Sequence, residues 1–143
     1  MNRFGLHFHH FGLAVPACDD AFRLLQALGF RLGRPVFDPL QQVNLAMCNH
    51  DEMPSVEVIW PGDSRSPIDR ILRRGGARIY HLCYVAKSAE STIAAMEADG
   101  FTVIAHGEPK PAVLFGGQYV SFYSIANIGL IELIHGKPTS TLF

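Results

Sequence analysis

The sequence contains no uninterrupted apolar run of the roughly 18–20 residues that cross a bilayer, because charges, prolines or glycines break each hydrophobic stretch. A membrane-spanning helix is excluded and a soluble protein is expected. It also lacks a charge surplus, with 12 Lys+Arg against 13 Asp+Glu and an isoelectric point near 6.6. A general nucleic-acid binder or a reader of anionic membranes needs a basic excess that is not there. Cysteine is scarce: Cys18, Cys48 and Cys83 are an odd number without C-x-x-C spacing, so neither a disulfide framework nor a structural zinc knuckle is expected. That pattern points to a reducing cytoplasm, with Cys83 a small buried hydrophobe between Leu82 and Tyr84. The start, Met1 to Ala17, loosely imitates a secretory signal, but His7, His9 and His10 interrupt what would be its apolar region.

What is present suits one compact domain of 143 residues, 48% hydrophobic and 17% charged. An internal repeat organises it. His10-Phe11-Gly12-Leu13-Ala14-Val15 and His81-Leu82-Cys83-Tyr84-Val85-Ala86 are both strand-like runs opened by histidine. Each is followed by an amphipathic helix that ends in Gly-Phe, with Asp19 or Asp20 and Ser88 as expected N-caps and Gly29 and Gly100 as left-handed C-terminal stops. His10 and His81, Gly29 and Gly100, and Phe30 and Phe101 are all 71 residues apart. Further strands are expected over Phe30 to Pro35, Val43 to Met47 and Ser55 to Trp60, then over Phe101 to Ala105, Val120 to Ile125 and Leu130 to Ile134.

The order is therefore βαβββ twice, an α+β arrangement. Module one covers about 6–62, a linker with a short helix over Ile68 to Arg74 covers about 63–76, and module two covers about 77–136. Each half is small for a core of its own, so the two are expected to pack as a single domain spanning 1–143.

The histidine that opens each half has a lone carboxylate near the end of the same half: Glu57 in Val56-Glu57-Val58-Ile59-Trp60 and Glu132 in Leu130-Ile131-Glu132-Leu133-Ile134. Their separation of 75 residues implies four extra residues in the second half, assigned to the loop Lys110 to Gln118. Strand alternation puts His10, Gly12 and Ala14 on one face and Phe11, Leu13 and Val15 on the other, where the helix is expected. A lone carboxylate on an apolar strand is costly unless it is paired or binds a cation. Taken singly, each of these residues is more often a satisfied core or strand-edge group. Together, His10, Glu57, His81 and Glu132 form a symmetric set of nitrogen and oxygen donors suited to a divalent ion, Zn, Fe, Co, Ni or Mn. His7, His9, His50, His106 and His135 are read as surface or loop residues, with His9 pointing away from the face of His10. Gly75-Gly76 and Gly116-Gly117 lack the strand-before, helix-after context of a phosphate loop and are read as turns, the second also as a flexible lip.

These residues resemble the vicinal oxygen chelate superfamily, which includes glyoxalase, methylmalonyl-CoA epimerase, extradiol dioxygenases and the fosfomycin- and bleomycin-resistance proteins. The resemblance covers nearly the whole chain and is carried by His10 to Val15, Tyr80 to Val85 and the closing run Gly129 to Ile134, with the nearest pattern that of methylmalonyl-CoA epimerase. It implies paired βαβββ modules whose mixed sheet curls into a cup with helices outside, commonly in a homodimer. It also implies a divalent metal that stabilises an enolate of a small acyl-thioester or oxo substrate, in an epimerase-like or glyoxalase-like isomerase or lyase. His10, His81 and Glu132 match ligand positions, and Glu132 is also the candidate base. Glu57 falls where the epimerases have a glutamine ligand, and Asn44 where they have a second acid/base glutamate; an amide cannot take a proton at neutral pH. The alternative is a non-catalytic binding or antibiotic-resistance protein that uses the same cup for a small molecule.

Overall fold

The computed structural model describes residues 2–136. Met1 and residues 137–143, which the 1–143 domain assignment includes, lie outside the described residues. By contact the described residues form two compact units, one of His10–Tyr80 and the other of residues 2–9 together with 81–136. The fold is α+β, with ten strands, three α-helices and one 3-10 turn among the described residues. No helix among them is long and apolar enough to cross a membrane.

Module one runs β1 (His7–Ala14), α1 (Asp19–Ala27), β2 (Arg31–Leu32), β3 (Val36–Asp38), β4 (Val43–Asn49) and β5 (Ser55–Pro61). β5 lies parallel to β1 and antiparallel to β4, and β2 and β3 both lie antiparallel to β4. Of the strand expected over Phe30 to Pro35 only Arg31–Leu32 forms, and the short β3 follows Pro35 as a strand that was not expected. Pro35 cannot donate a ladder hydrogen bond, and at Gly33 the chain passes so close to the Met47 carbonyl oxygen that a Cβ would collide with it.

Module two repeats the pattern with β6 (Arg78–Ala86), α3 (Ala89–Ala98), β7 (Val103–Ala105), β8 (Lys110–Pro111), β9 (Tyr119–Ile125) and β10 (Gly129–His135). β10 is parallel to β6 and antiparallel to β9, while β7 and β8 both pair with β9. The loop assigned to the extra residues, Lys110 to Gln118, contains β8 and the 3-10 turn Val113–Phe115. Gly116 and Gly117 close that segment with positive φ, as turns do.

The two main helices end alike. The N–H of Phe30 bonds the Leu25 carbonyl at 3.0 Å and that of Phe101 bonds Met96 at 3.1 Å, with Gly29 and Gly100 at φ near +96° and +95°. This is the left-handed closure that glycine permits without strain. Their starts differ. Ser88 caps α3 by accepting from the Ser91 N–H at 3.2 Å, as expected. At α1 the N-cap is Cys18, without a side-chain bond, and Asp19 and Asp20 lie inside the first turn. There they complement the helix dipole rather than a single orphan N–H, which corrects the expected cap. The linker helix α2 (Pro67–Gly75) opens with a capping box: Asp69 accepts from the Ser66 N–H at 2.9 Å and the Ser66 hydroxyl accepts from Ile68 at 3.4 Å.

Each module has its own apolar core between helix and sheet. Leu25 and Phe30 pack with Val15, Cys48 and Val58 in module one, with Phe22 edge-on to Trp60 at 5.6 Å. In the other unit Met96 and Ala89 pack with Ala86, Ile131 and Leu133, and Leu6 from the N-terminal segment joins them. That segment is tied down further by Arg3, whose guanidinium bonds Asp99 at 2.9 Å.

Candidate functional site

Strand register decides which side chains share a face. On β1 and β5, Gly12 lies beside Glu57 and Leu13 beside Val58, and Glu57 is opposite Met47 of β4. Leu13, Val56, Val58 and Trp60 belong to the helix-side core. His10, Gly12 and Glu57 therefore occupy the other face, as alternation in the sequence predicts. Gly12 contributes no side chain in the row of Glu57. The His10 ring is fully buried and Glu57 nearly so, with Nε2 of His10 3.5 Å from Oε1 of Glu57.

Module two builds the same pair. Cys83 is in register with Glu132 and His81 with Leu130, whereas Tyr84, Ile131 and Leu133 face the helix. Nε2 of His81 lies 3.2 Å from Oε1 of Glu132, both side chains buried. Phe122, opposite Glu132 on β9, sets its ring edge-on to His81 at 5.7 Å. Cys83 is completely buried, in keeping with its reading as a small hydrophobe.

These distances test the donor set for a metal. Two ligands at about 2.0–2.2 Å from one ion stand about 2.8–3.6 Å apart, depending on whether the angle between them is octahedral or tetrahedral. The His–Glu separations in both modules fall at that spacing, and the 3.5 Å of the first exceeds a good N–H···O bond. Imidazole nitrogens with hard carboxylate oxygens are a donor set for a divalent transition ion. Each module thus carries a histidine–carboxylate half-site that fits such an ion.

The remaining histidines take other roles. His50 holds the end of α1: its Nε2 is 3.0 Å from the Leu28 carbonyl, while Nδ1 accepts from the N–H groups of Glu52 and Met53 at 2.9 and 3.2 Å. His9 is buried edge-on to Phe115 at 5.3 Å. His135 bonds the Ser121 hydroxyl at 2.7 Å, and burial pulls its pKa below the ordinary imidazole value. His7 is exposed. His106, expected to be a loop residue, follows β7 directly, and its Nε2 lies 2.5 Å from the Ser124 hydroxyl. Ser124 is in register with Leu130 and so shares the face of Glu132. A stricter reading of strand parity from Glu132 through the turn would have put Ser124 on that face, but not its contact with His106.

Two further placements were not legible. Asn44 pairs with Trp60, which puts it on the helix side, and its amide donates to the Pro61 carbonyl at 3.1 Å. It does not share a face with Glu57, so residue 44 is not the place to look for a second acid or base. Asp38 is buried, and its carboxylate accepts from the Leu40 and Gln41 N–H groups and from the Gln41 amide. That fully bonded environment makes it a turn-former.

The sequence matches the family model of the glyoxalase/bleomycin resistance protein/dioxygenase superfamily over residues 9–122. The chain belongs to this superfamily, the vicinal oxygen chelate group. Among solved structures, it resembles methylmalonyl-CoA epimerase from Mycobacterium tuberculosis at 20% identity, covering 92% of this chain and 89% of that one with a TM-score of 0.74. A hypothetical protein from Bacillus halodurans C-125 is 26% identical, with coverage of 95% and 98% and a TM-score of 0.78. A variant of Streptomyces coelicolor methylmalonyl-CoA epimerase in complex with 2-nitronate-propionyl-CoA is 18% identical, with coverage of 92% and 98% and a TM-score of 0.72. The sequence matches no curated protein.

Proposed function

We propose that this protein is a metal-dependent isomerase or lyase that removes the proton next to a carbonyl in a small acyl-thioester or oxo substrate. In this reading the two modules act as one domain, and His10, Glu57, His81 and Glu132 together hold one divalent ion. The observation that carries the proposal is the recurrence of a buried His–carboxylate pair at ligand spacing in both modules. Burying one carboxylate on an apolar strand is unfavourable, and burying two at repeat-related positions calls for a compensating cation. A bound divalent ion supplies Lewis-acid stabilisation of negative charge on a substrate oxygen, worth several kcal/mol in a site that excludes water.

The chain's own residues do the rest. His10 and His81 are neutral donors held in place by burial, so they bind without adding charge. Glu57 and Glu132 bring two negative charges, and Glu132 is the group assigned to take the proton. Phe122 packs edge-on against the His81 ring and helps hold it beside Glu132. Superfamily membership and the fold shared with methylmalonyl-CoA epimerases support an acyl-thioester as the first substrate to try. The same reading makes the working form a cytoplasmic homodimer, and the three free cysteines suit a reducing compartment.

Elemental analysis of the purified protein, followed by α-proton exchange into heavy water, tests this. The probes are methylmalonyl-CoA and a glutathione hemithioacetal. About one divalent ion per chain and exchange on either probe are expected. No metal after reconstitution with Zn, Co, Ni, Mn or Fe would overturn the proposal in favour of a non-catalytic binding protein.

A further inference from the structure

Moving a proton from one side of a carbon to the other needs two groups, and Glu132 is only one. We propose that Ser124, backed by His106, is the second: its hydroxyl delivers a proton to the carbon face opposite Glu132, and the His106 imidazole replaces that proton. This inference rests on the reading above, that the site removes a proton next to a carbonyl.

Three observations within one sheet carry it. The Ser124 hydroxyl and Nε2 of His106 are 2.5 Å apart, close enough for direct transfer. The His106 backbone N–H donates to the Phe122 carbonyl at 2.9 Å, which fixes the residue beside β9 just past the end of β7. On the antiparallel pair β9–β10, Phe122 is in register with Glu132 and Ser124 with Leu130, so Ser124 and Glu132 are diagonal neighbours on one face. Diagonal positions are about 7–8 Å apart. A small substrate seated over that diagonal would have Glu132 on one side and Ser124 on the other. Phe122 and Leu130 border that gap and are only half-buried, which leaves it reachable.

The proton count closes. The C–H bond breaks and its proton goes to the Glu132 carboxylate. A new C–H bond then forms with the proton of the Ser124 hydroxyl, whose oxygen takes one from Nε2 of His106 in the imidazolium form. Imidazole is the side chain that both gives and takes protons near neutral pH. His106 is exposed, so water restores its proton, and Glu132 passes its own to water that enters the gap between Phe122 and Leu130 after product leaves.

The test compares wild type, Ser124→Ala and His106→Gln, each loaded with metal, on both enantiomers of methylmalonyl-CoA in heavy water, and is read on whichever enantiomer keeps the faster exchange in Ser124→Ala, the one whose α-proton faces Glu132. Exchange without inversion and inversion are measured separately. Both variants should keep exchange within a few-fold of wild type and lose inversion by about 100-fold or more, the ordinary size of a general acid's contribution. In metal-free protein, the ¹⁵N shift of Nε2 of His106 should move on Ser124→Ala, independently of turnover. The relay is overturned if both activities fall in parallel or if inversion survives in the variants. It is also overturned if wild type exchanges the α-proton but never inverts, an outcome that leaves the proposed function standing. Wild type that binds metal yet exchanges no proton on either probe overturns the proposed function, and the relay with it.

Discussion

Glu132 lies one strand over from His81 and two residues further along, with its carboxylate 3.2 Å from Nε2 of that histidine. Module one repeats the relationship between Glu57 and His10, with the same two-residue offset on a parallel neighbour. A side chain two positions along a parallel strand shares the face and leans along it, which lets a short imidazole and a longer carboxylate converge. In the proposed ligand role the four residues are unequal under substitution. Glu132→Ala and His10→Ala are expected to lower bound divalent metal at least tenfold by elemental analysis. Glu57→Gln keeps an oxygen donor and loses only charge, so it should still bind, more weakly. Equal metal content in all three variants would remove these residues from the ligand set.

Gly33 has a packing requirement. Any Cβ there would run into the Met47 carbonyl oxygen on the facing strand, and backbone cannot swing away as a side chain can. Gly33→Ala is expected to destabilise the protein by about 2 kcal/mol or more, as overpacking does. Thermal or urea unfolding reads this directly.

His50 is a structural histidine. It satisfies the Leu28 carbonyl at the end of α1 and two loop N–H groups through its two ring nitrogens. His50→Ala leaves three polar groups to water, and the expected loss is about 1–2 kcal/mol of stability. Metal content should be unaffected. A matching fall in metal would show that the residue supports the site as well.

His135 gives a pH signature. Burial lowers its folded-state pKa below the ordinary value of 6.5, so the unfolded chain binds the proton more readily. Its contribution to stability is therefore fully present above about pH 6.5 and is lost as the pH falls through the lower folded value. His135→Gln should flatten stability against pH below that point relative to wild type. An unchanged slope in chemical unfolding between pH 5 and 7 would show that the acid sensitivity lies elsewhere.

Much of the fold was legible because it rests on local chemistry used twice. The Gly29 and Gly100 closures, the Ser88 cap and the alternation that separates His10 from Phe11 depend on residues close in sequence. The early end of the expected Phe30 to Pro35 strand at Gly33 was only half-legible. The proline was visible, but the close approach of Met47 belongs to a partner strand. Cys18 replaced Asp19 as N-cap because capping depends on backbone angles that several neighbouring polar residues can serve equally well.

For the candidate site, the sequence by itself determined which residue types recur and which face of each strand they take, since alternation and repeat spacing are one-dimensional properties. Only the tertiary structure decided how β1 registers on β5 and β6 on β10, and hence that each histidine meets the carboxylate of its own half. It also decided that Asn44 turns to the helix side while Ser124 and His106 meet beside Glu132. Register between strands distant in sequence is set by the packing of both sheet faces at once. No residue carries that information alone.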